Sequence, residues 1–402
     1  MVKVSTTLRS APRHRSRLYS LMFSGLLLAR GTCLQAADTT PAAPAPQKNV
    51  VTAVPELTPL PRYFPSATVA LNDATLGMIA DGQFRYSFDD GKTFHDAVDL
   101  PRPANGEGAP RNGPLLTTTS GTLVLVYGDP TTRKLSWDRA TGEPKPDQRA
   151  DIWAARSTDG GRTWTDPQEI SALFHDVSPY CLSLIQLTQA PDGTLVVPLQ
   201  LRVGNSNRSI LTTAISRDDG KTWLPSRSIL DIGGAGVHDG LLEPTLVGLR
   251  DGRVWMLIRT NLDVFYESFS SDSGLTWSKP SPTTIGASSS PGYLLRLKSG
   301  RLLLLWNRLL PEGRTDYPRR SGRGYSQRPA SWHRDELSLA FSSDDGRTWS
   351  EPKIILRGEG LASYPSAFER REGEIWVSLH HKSHQSFRFL EANLIGAPKD
   401  AR

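Results

Sequence analysis

Cysteine, helical periodicity and long apolar runs are all scarce in this 402-residue chain. The two cysteines are Cys33 and Cys181. Cys33 falls in an N-terminal stretch that reads as a cleavable leader, so the mature chain would keep Cys181 alone and hold no internal disulfide. A domain of this size buries enough apolar surface to do without one. Helical spacing of apolar residues is nearly absent, which argues against bundles and alternating α/β folds. The apolar run from Leu18 to Ala29 is too short for a comfortable membrane span. An excess of one charge is missing as well once the leader is set aside. Lys3, Arg9, Arg13, Arg15, Arg17 and Arg30 account for the whole formal net charge of +6. The remaining chain is near neutral, which removes the electrostatic case for a nucleic-acid partner.

The leader has a basic lead, an apolar segment and small residues at Leu34-Gln35-Ala36-Ala37, the layout of a secretory signal peptide over residues 1–36. Cys33 lacks the Leu-x-Gly context of a lipobox. The expectation is a secreted or periplasmic protein with no stable membrane insertion. Residues 37–62 are rich in Ala, Thr and Pro and read as a linker, leaving residues 63–402 as one folded domain.

What the chain has in abundance is turns, with 34 Gly and 30 Pro, and one short pattern repeated five times. Ser-x-Asp-x-Gly-x-Thr-aromatic begins at Ser87, Ser157, Ser216, Ser270 and Ser342, at spacings of 70, 59, 54 and 72 residues. A strict local pattern at loose spacing marks a repeat fold with variable loops. The Asp can accept hydrogen bonds from the tight loop, the Gly can take a positive φ, and the Thr favours the following strand. The closing Trp or Phe is expected to pack beneath the loop of its own unit. The boxes lack the evenly spaced oxygens and terminal Glu of a helix-loop-helix calcium site.

Apolar runs broken by a two-residue turn surround the boxes, around Ser120-Gly121, Asp192-Gly193, Asp251-Gly252, Ser299-Gly300 and Glu372-Gly373. Each predicts a β-hairpin. Hairpin, strand, box and strand make a four-stranded unit, which is a propeller blade. Five box-bearing units and the last hairpin predict an all-β, six-bladed β-propeller with four-stranded antiparallel blades. Either Tyr63 to Leu71 or Phe387 to Ile395 would complete the last sheet and close the ring.

The repeated turn resembles the Asp-box, or bacterial neuraminidase repeat, and six blades carrying it resemble the sialidases. Further resemblance lies in Glu243 and Arg259, sixteen residues apart across one hairpin, and in Ala362-Ser363-Tyr364-Pro365-Ser366, which is similar to the family's catalytic tyrosine segment. The resemblance implies that Tyr364 is the nucleophile with Glu243 as its base. It also implies a substrate carboxylate clamped by Arg259 and two further arginines, Arg111 and Arg334, with Arg308 and Arg328 as competitors of the last. Such chemistry suits those residue types. Guanidinium groups bind a carboxylate bidentately, and a neutral phenol avoids the repulsion a carboxylate nucleophile would meet. The general acid is assigned to Asp147, with Asp138 and Asp151 as rivals.

The glycine-rich run Gly233 to Gly240 leads to His238 and Asp239, which are expected at the pocket mouth. His175-Asp176 is a similar pair, and the basic stretch Arg308 to Arg334 would form an electropositive rim. No cofactor or metal is expected. The implied function is an exo-α-sialidase-like glycoside hydrolase, with retention of configuration, acting on an acidic sugar, sialoglycan or polysaccharide. A glycan-binding propeller without turnover and an enzyme acting on uronic-acid-containing polysaccharide are the alternatives.

Overall fold

The computed structural model describes residues 49–103, 113–129, 131–132, 134, 138, 145, 149–182, 185–203, 208–322 and 326–395. Six antiparallel sheets follow one another along the chain and form a six-bladed propeller. Blade 1 holds Thr68–Ala70, Leu76–Ala80, Gln83–Ser87 and His95–Asp99. Blade 2 holds Leu115–Thr117, Leu123–Gly128, Ile152–Ser157 and Gln168–Glu169. In blade 3 the inner position is split between Cys181–Leu182 and Thr188–Gln189, followed by Leu195–Val203, Arg208–Ser216 and Leu224–Pro225. Blade 4 holds Leu242–Gly248, Val254–Arg259, Val264–Ser270 and Ser281–Gly286. Blade 5 holds Tyr293–Arg296, Leu302–Trp306, Glu336–Ser342 and Lys353–Arg357. Blade 6 holds Pro365–Arg371, Glu374–Leu379 and Gln385–Leu390. Buried apolar side chains between adjacent sheets form the core, and the inner strands of all six blades line an axial channel of about 650 Å3.

Ring closure differs from expectation. Tyr63 to Leu71 supplies the inner strand of blade 1, while Gln385–Leu390 is only the third strand of blade 6. The fourth is Thr58–Pro59, which pairs with Phe387 and Arg388. Val51–Thr52 adds a further edge to blade 5, pairing with Leu356 and Arg357. The described part of the presumed linker therefore belongs to the ring. Two-residue strands are too short to show an alternating pattern in sequence, and Pro59 is tolerated because an edge strand needs no donor on its outer side.

Each Asp-box ends the third strand of its blade, and its geometry is the same five times. In the second copy Ser157 Oγ accepts from Gly161 N at 2.8 Å, and Asp159 accepts from Thr163 N at 2.9 Å and Thr163 Oγ1 at 2.6 Å. The fourth and fifth positions both have positive φ, as at Asp219 (56°) and Gly220 (79°), the signature of a type I′ turn. Glycine at the fifth position answers a second need. A Cβ on Gly346 would lie 2.5 Å from the Trp255 ring of the preceding blade.

The box aromatics meet their own loops, with Trp164 Nε1 donating to Gly161 O and Trp277 Nε1 to Gly274 O at 3.1 Å, and they also pack across blade junctions. Trp277 joins Val196 and Ile215 of blade 3 to blade 4, and Trp349 meets Trp255 of blade 4. The fourth box residue also reaches back to the first hairpin of the preceding blade wherever it has a side chain. Asp219 accepts from Ser120 Oγ at 2.7 Å, Ser273 donates to Asp192 at 2.7 Å, and Asp345 accepts from Arg250 N at 2.8 Å, with Arg296 of its own blade as a second donor at 2.8 Å. Asp90 does the same to Arg370 and Arg371 of blade 6, sealing the junction where the ring closes. The boxes are fasteners between blades.

Candidate active site

Antiparallel pairing makes the first and third strands of a blade run the same way. The boxes, at the ends of third strands, therefore share one face of the ring. The starts of first and third strands and the ends of second strands share the other. Glu243 lies at the start of blade 4's first strand, Arg259 ends its second, Tyr364 precedes the first strand of blade 6, and Arg334 precedes the third strand of blade 5.

The structure brings these four together. Tyr364 Oη donates to Glu243 Oε1 at 3.0 Å. Arg259 Nη1 donates to Tyr364 Oη at 3.1 Å and to Glu243 Oε2, closing a three-membered ring of contacts. The other side of the Arg259 guanidinium is held by Ser289 Oγ at 3.2 and 3.3 Å, and the residue is only 1% exposed. Arg334 lies 4.5 Å from the Trp332 ring centroid and 5.1 Å from that of Tyr364, in cation–π contact with both. Its Nη2 donates to Ser289 O at 3.5 Å.

Local backbone explains how the two reactive groups are aimed. Glu243 and Tyr364 each precede a proline that enters an inner strand, and both have left-handed φ values, 36° and 57°. A residue before proline ordinarily prefers extended backbone. The pairing in blade 4 slips between Leu242 and Thr245, and the Glu243 N–H so released donates to Gln200 Oε1 of blade 3 at 3.0 Å. Such a bulge re-aims one side chain without breaking the sheet. Backbone strain of about 1–3 kcal/mol per residue, concentrated on the two groups that touch each other, is a mark of a functional site.

The electrostatics converge on the same place. Burial raises the Tyr364 pKa, and Glu243 adds to this against Arg259 and Arg334, so the resting phenol is neutral. Burial alone would lower the Arg259 pKa, but the Glu243 carboxylate and Tyr364 reverse this and raise it. Arg334 is lowered by burial. His238 stands edge-on to Trp332 at 4.9 Å and is held down to about 3 by burial and by the charges of Arg259, Arg202 and Arg334. His381 stacks on Tyr364 at 5.3 Å and is held down to about 4 by burial and by Arg334. Three guanidinium groups thus share a buried neighbourhood with two neutral imidazoles, a field that attracts an anion.

Arg202 is the member of this set that the sequence reading missed. It lies near the end of the second strand of blade 3, is 8% exposed, and donates from Nη1 to Val237 O at 2.5 Å. Its available signal was position, because it follows a hairpin turn on the strand equivalent to the one Arg259 ends. Trp332 and His381 also escaped notice, having no motif around them.

Other expectations divide. Arg111 and Asp147 lie outside the described residues. Asp138 is exposed, and Asp151 is buried with both oxygens held by Arg149 Nε at 2.8 and 2.7 Å, so it is engaged as a structural partner. Asp151, Glu169 and His175 cluster together, with Arg149 already supplying positive charge. Arg308 lies 3.8 Å from Glu336, and Arg328 is exposed on a hairpin of Arg319–Gly322 and Ser326–Ser331 inserted between the second and third strands of blade 5. Asp239 is buried and accepts from Ala235 N, Asn261 Nδ2, Ser326 Oγ and Gln327 N, so it ties the glycine loop to that hairpin.

Residues 102–377 match the BNR repeat-like domain family, and the chain belongs to that family. Among solved structures it is similar to a Dyadobacter fermentans protein of unknown function, with a TM-score of 0.56, 17% identity, and coverage of 86% of this chain and 100% of that one. It is also similar to Trypanosoma rangeli sialidase in complex with the inhibitor DANA, with a TM-score of 0.50 and 15% identity. That match covers 83% of this chain and 55% of the sialidase chain, so this protein spans about half its length. These likenesses concern the fold, a sialidase-like propeller.

Proposed function

We propose that the protein is a retaining exo-glycosidase that releases a terminal sialic acid or related acidic sugar, exported from the cell by its N-terminal leader. The observation that carries this reading is the hydrogen bond from Tyr364 to Glu243, bridged on both sides by buried Arg259. In the first step Tyr364 Oη attacks the anomeric carbon, its proton passes to Glu243, and the bond to the leaving oxygen breaks as that oxygen gains a proton from a general acid. In the second, water attacks the anomeric carbon and gives a proton back to that general acid, the bond to Tyr364 Oη breaks, and the departing phenolate recovers its proton from Glu243. Arg334 and Arg202 supply positive charge toward the substrate carboxylate, while Arg259 is largely engaged with the dyad.

Hydrolysis of a fluorogenic aryl sialoside tests the reading. The wild type should turn it over, and Tyr364→Phe should lower kcat roughly a thousandfold or more with an unchanged unfolding midpoint. Absence of turnover by the wild type, or full turnover by the variant, rejects it.

A further inference from the structure

A separate polar cup of about 310 Å3 opens beside the arginine cluster. Three chain segments connect the two, each changing sides within a few residues. His238 faces the arginines while Asp239 lines the cup, Arg259 belongs to the cluster while Asn261 lines the cup, and Trp332 faces the cluster while Gln327 and Arg328 of the same hairpin line the cup. The partition between them is the hydrogen-bonded knot of Asp239, Asn261 and Ser326.

The wall of the cup is built to stay bare. Gly233, Gly234 and Gly240 form part of it, with φ values of 78°, 117° and 86°. A Cβ on Gly234 would lie 2.5 Å from Asp239 Cβ, so the packing that holds Asp239 excludes a side chain there. Only Ile232 and Leu262 bring aliphatic surface, which argues against a hydrophobic ligand. Tyr266, Gln327 and Arg328 line the cup, and the Tyr266 hydroxyl, the Gln327 amide and the Arg328 guanidinium have no protein hydrogen bond or ion pair of their own among the described residues. Donors and acceptors of this mixture suit a hydroxyl-rich ring, and the volume is at the small end for ligand sites.

We infer that this cup is a subsite for a neutral pyranose, one of the sugar residues carried next to the cleaved acidic sugar. The inference rests on the proposed glycosidase reading for its register, and it makes the protein selective for a glycan over an aryl glycoside. Tyr266, Gln327 and Arg328 then determine specificity without touching the reacting atoms.

The test compares kcat/KM for 3′-sialyllactose and a fluorogenic aryl sialoside in the wild type and in a Tyr266→Phe/Gln327→Ala/Arg328→Ala variant. Loss of a few hydrogen bonds predicts a fall of roughly tenfold or more on sialyllactose, with the aryl substrate unaffected. Equal falls on both substrates, or none on either, would overturn the subsite. If the wild type turns over neither substrate, the glycosidase reading fails, and the cup is judged by saturation-transfer NMR with lactose. A lactose signal in the wild type that the triple variant loses supports the cup. No signal in the wild type, or an equal one in the variant, rejects it.

Discussion

The two faces of the ring use similar residues to opposite ends. On the box face the box carboxylates find their donors within a few residues, on their own blade or on the preceding one. Asp344 accepts from Thr348 and Ser342, and Asp345 from Arg250 and Arg296. On the other face Glu243 meets Arg259 across its own hairpin but Tyr364 only because blades 4 and 6 converge, and Arg334 retains a buried Nε without a partner among the described residues. A polar group satisfied locally strengthens the scaffold. One satisfied across blades, in strained backbone and beside surplus positive charge, remains available for chemistry.

The contrast can be broken at its strongest point by Glu243→Gln. Loss of the proposed base should lower kcat on an aryl sialoside by roughly 10²–10⁴-fold. The same change leaves Arg259 buried with its counter-charge removed, so denaturant unfolding should also register a loss. Asp90→Ala on the box face should show the reverse pattern. It deprives Arg370, whose side chain is 0% exposed, of its carboxylate. Because Asp90 is itself partly exposed, a cost of about 1–3 kcal/mol in unfolding free energy is expected, with kcat/KM unchanged. A drop in activity matching that of Glu243→Gln would contradict the separation of the two faces.

The smallest expected effect is a two-stage acid response. His238 and His381 have folded pKa values pushed down to about 3 and about 4, below the ordinary 6.5. The unfolded chain therefore binds protons that the folded chain refuses, and stability falls as pH drops from about 6.5 toward those values. Asp89 and Asp344 are held near 2 by hydrogen bonds from Thr93 and Thr348. Their contribution is present above the ordinary carboxylate pKa of 3.8 and is lost as pH falls through about 2. Unfolding midpoints measured from pH 7 to pH 2 should show both stages. His381→Asn should flatten the first and Asp344→Asn the second, and a variant that flattens the other stage would reverse the assignment.

Much of this was legible because it is local. The boxes need Ser, Asp, Gly and Thr at fixed offsets, and the hairpin turns need their glycines, so the blades can be counted from sequence. Glu243, Arg259 and Tyr364 could be placed because a motif surrounds each. Arg202 could not, since one arginine near the end of an apolar strand looks like an ordinary strand flank until the neighbouring blade is in place. The tie that Asp239 makes was hidden for a related reason. Its four donors come from the glycine loop, blade 4 and the inserted hairpin, an arrangement that no sequence interval records. The reach of the box aromatics and fourth residues to the previous blade went unread, because sequence shows neighbours along the chain and conceals those on the previous blade.

The edge strands Val51–Thr52 and Thr58–Pro59 have a consequence for synthesis. They leave the ribosome ahead of every blade, yet their partners are among the last residues made, as with Val50 N bonded to Gln385 across 335 positions. Until the C-terminal strands emerge, the ring is an open arc with unpaired margins at both ends. Closing it is a contact of very high sequence separation and so a slow, late event. These two edge strands, made before the blades, must wait longest for their partners.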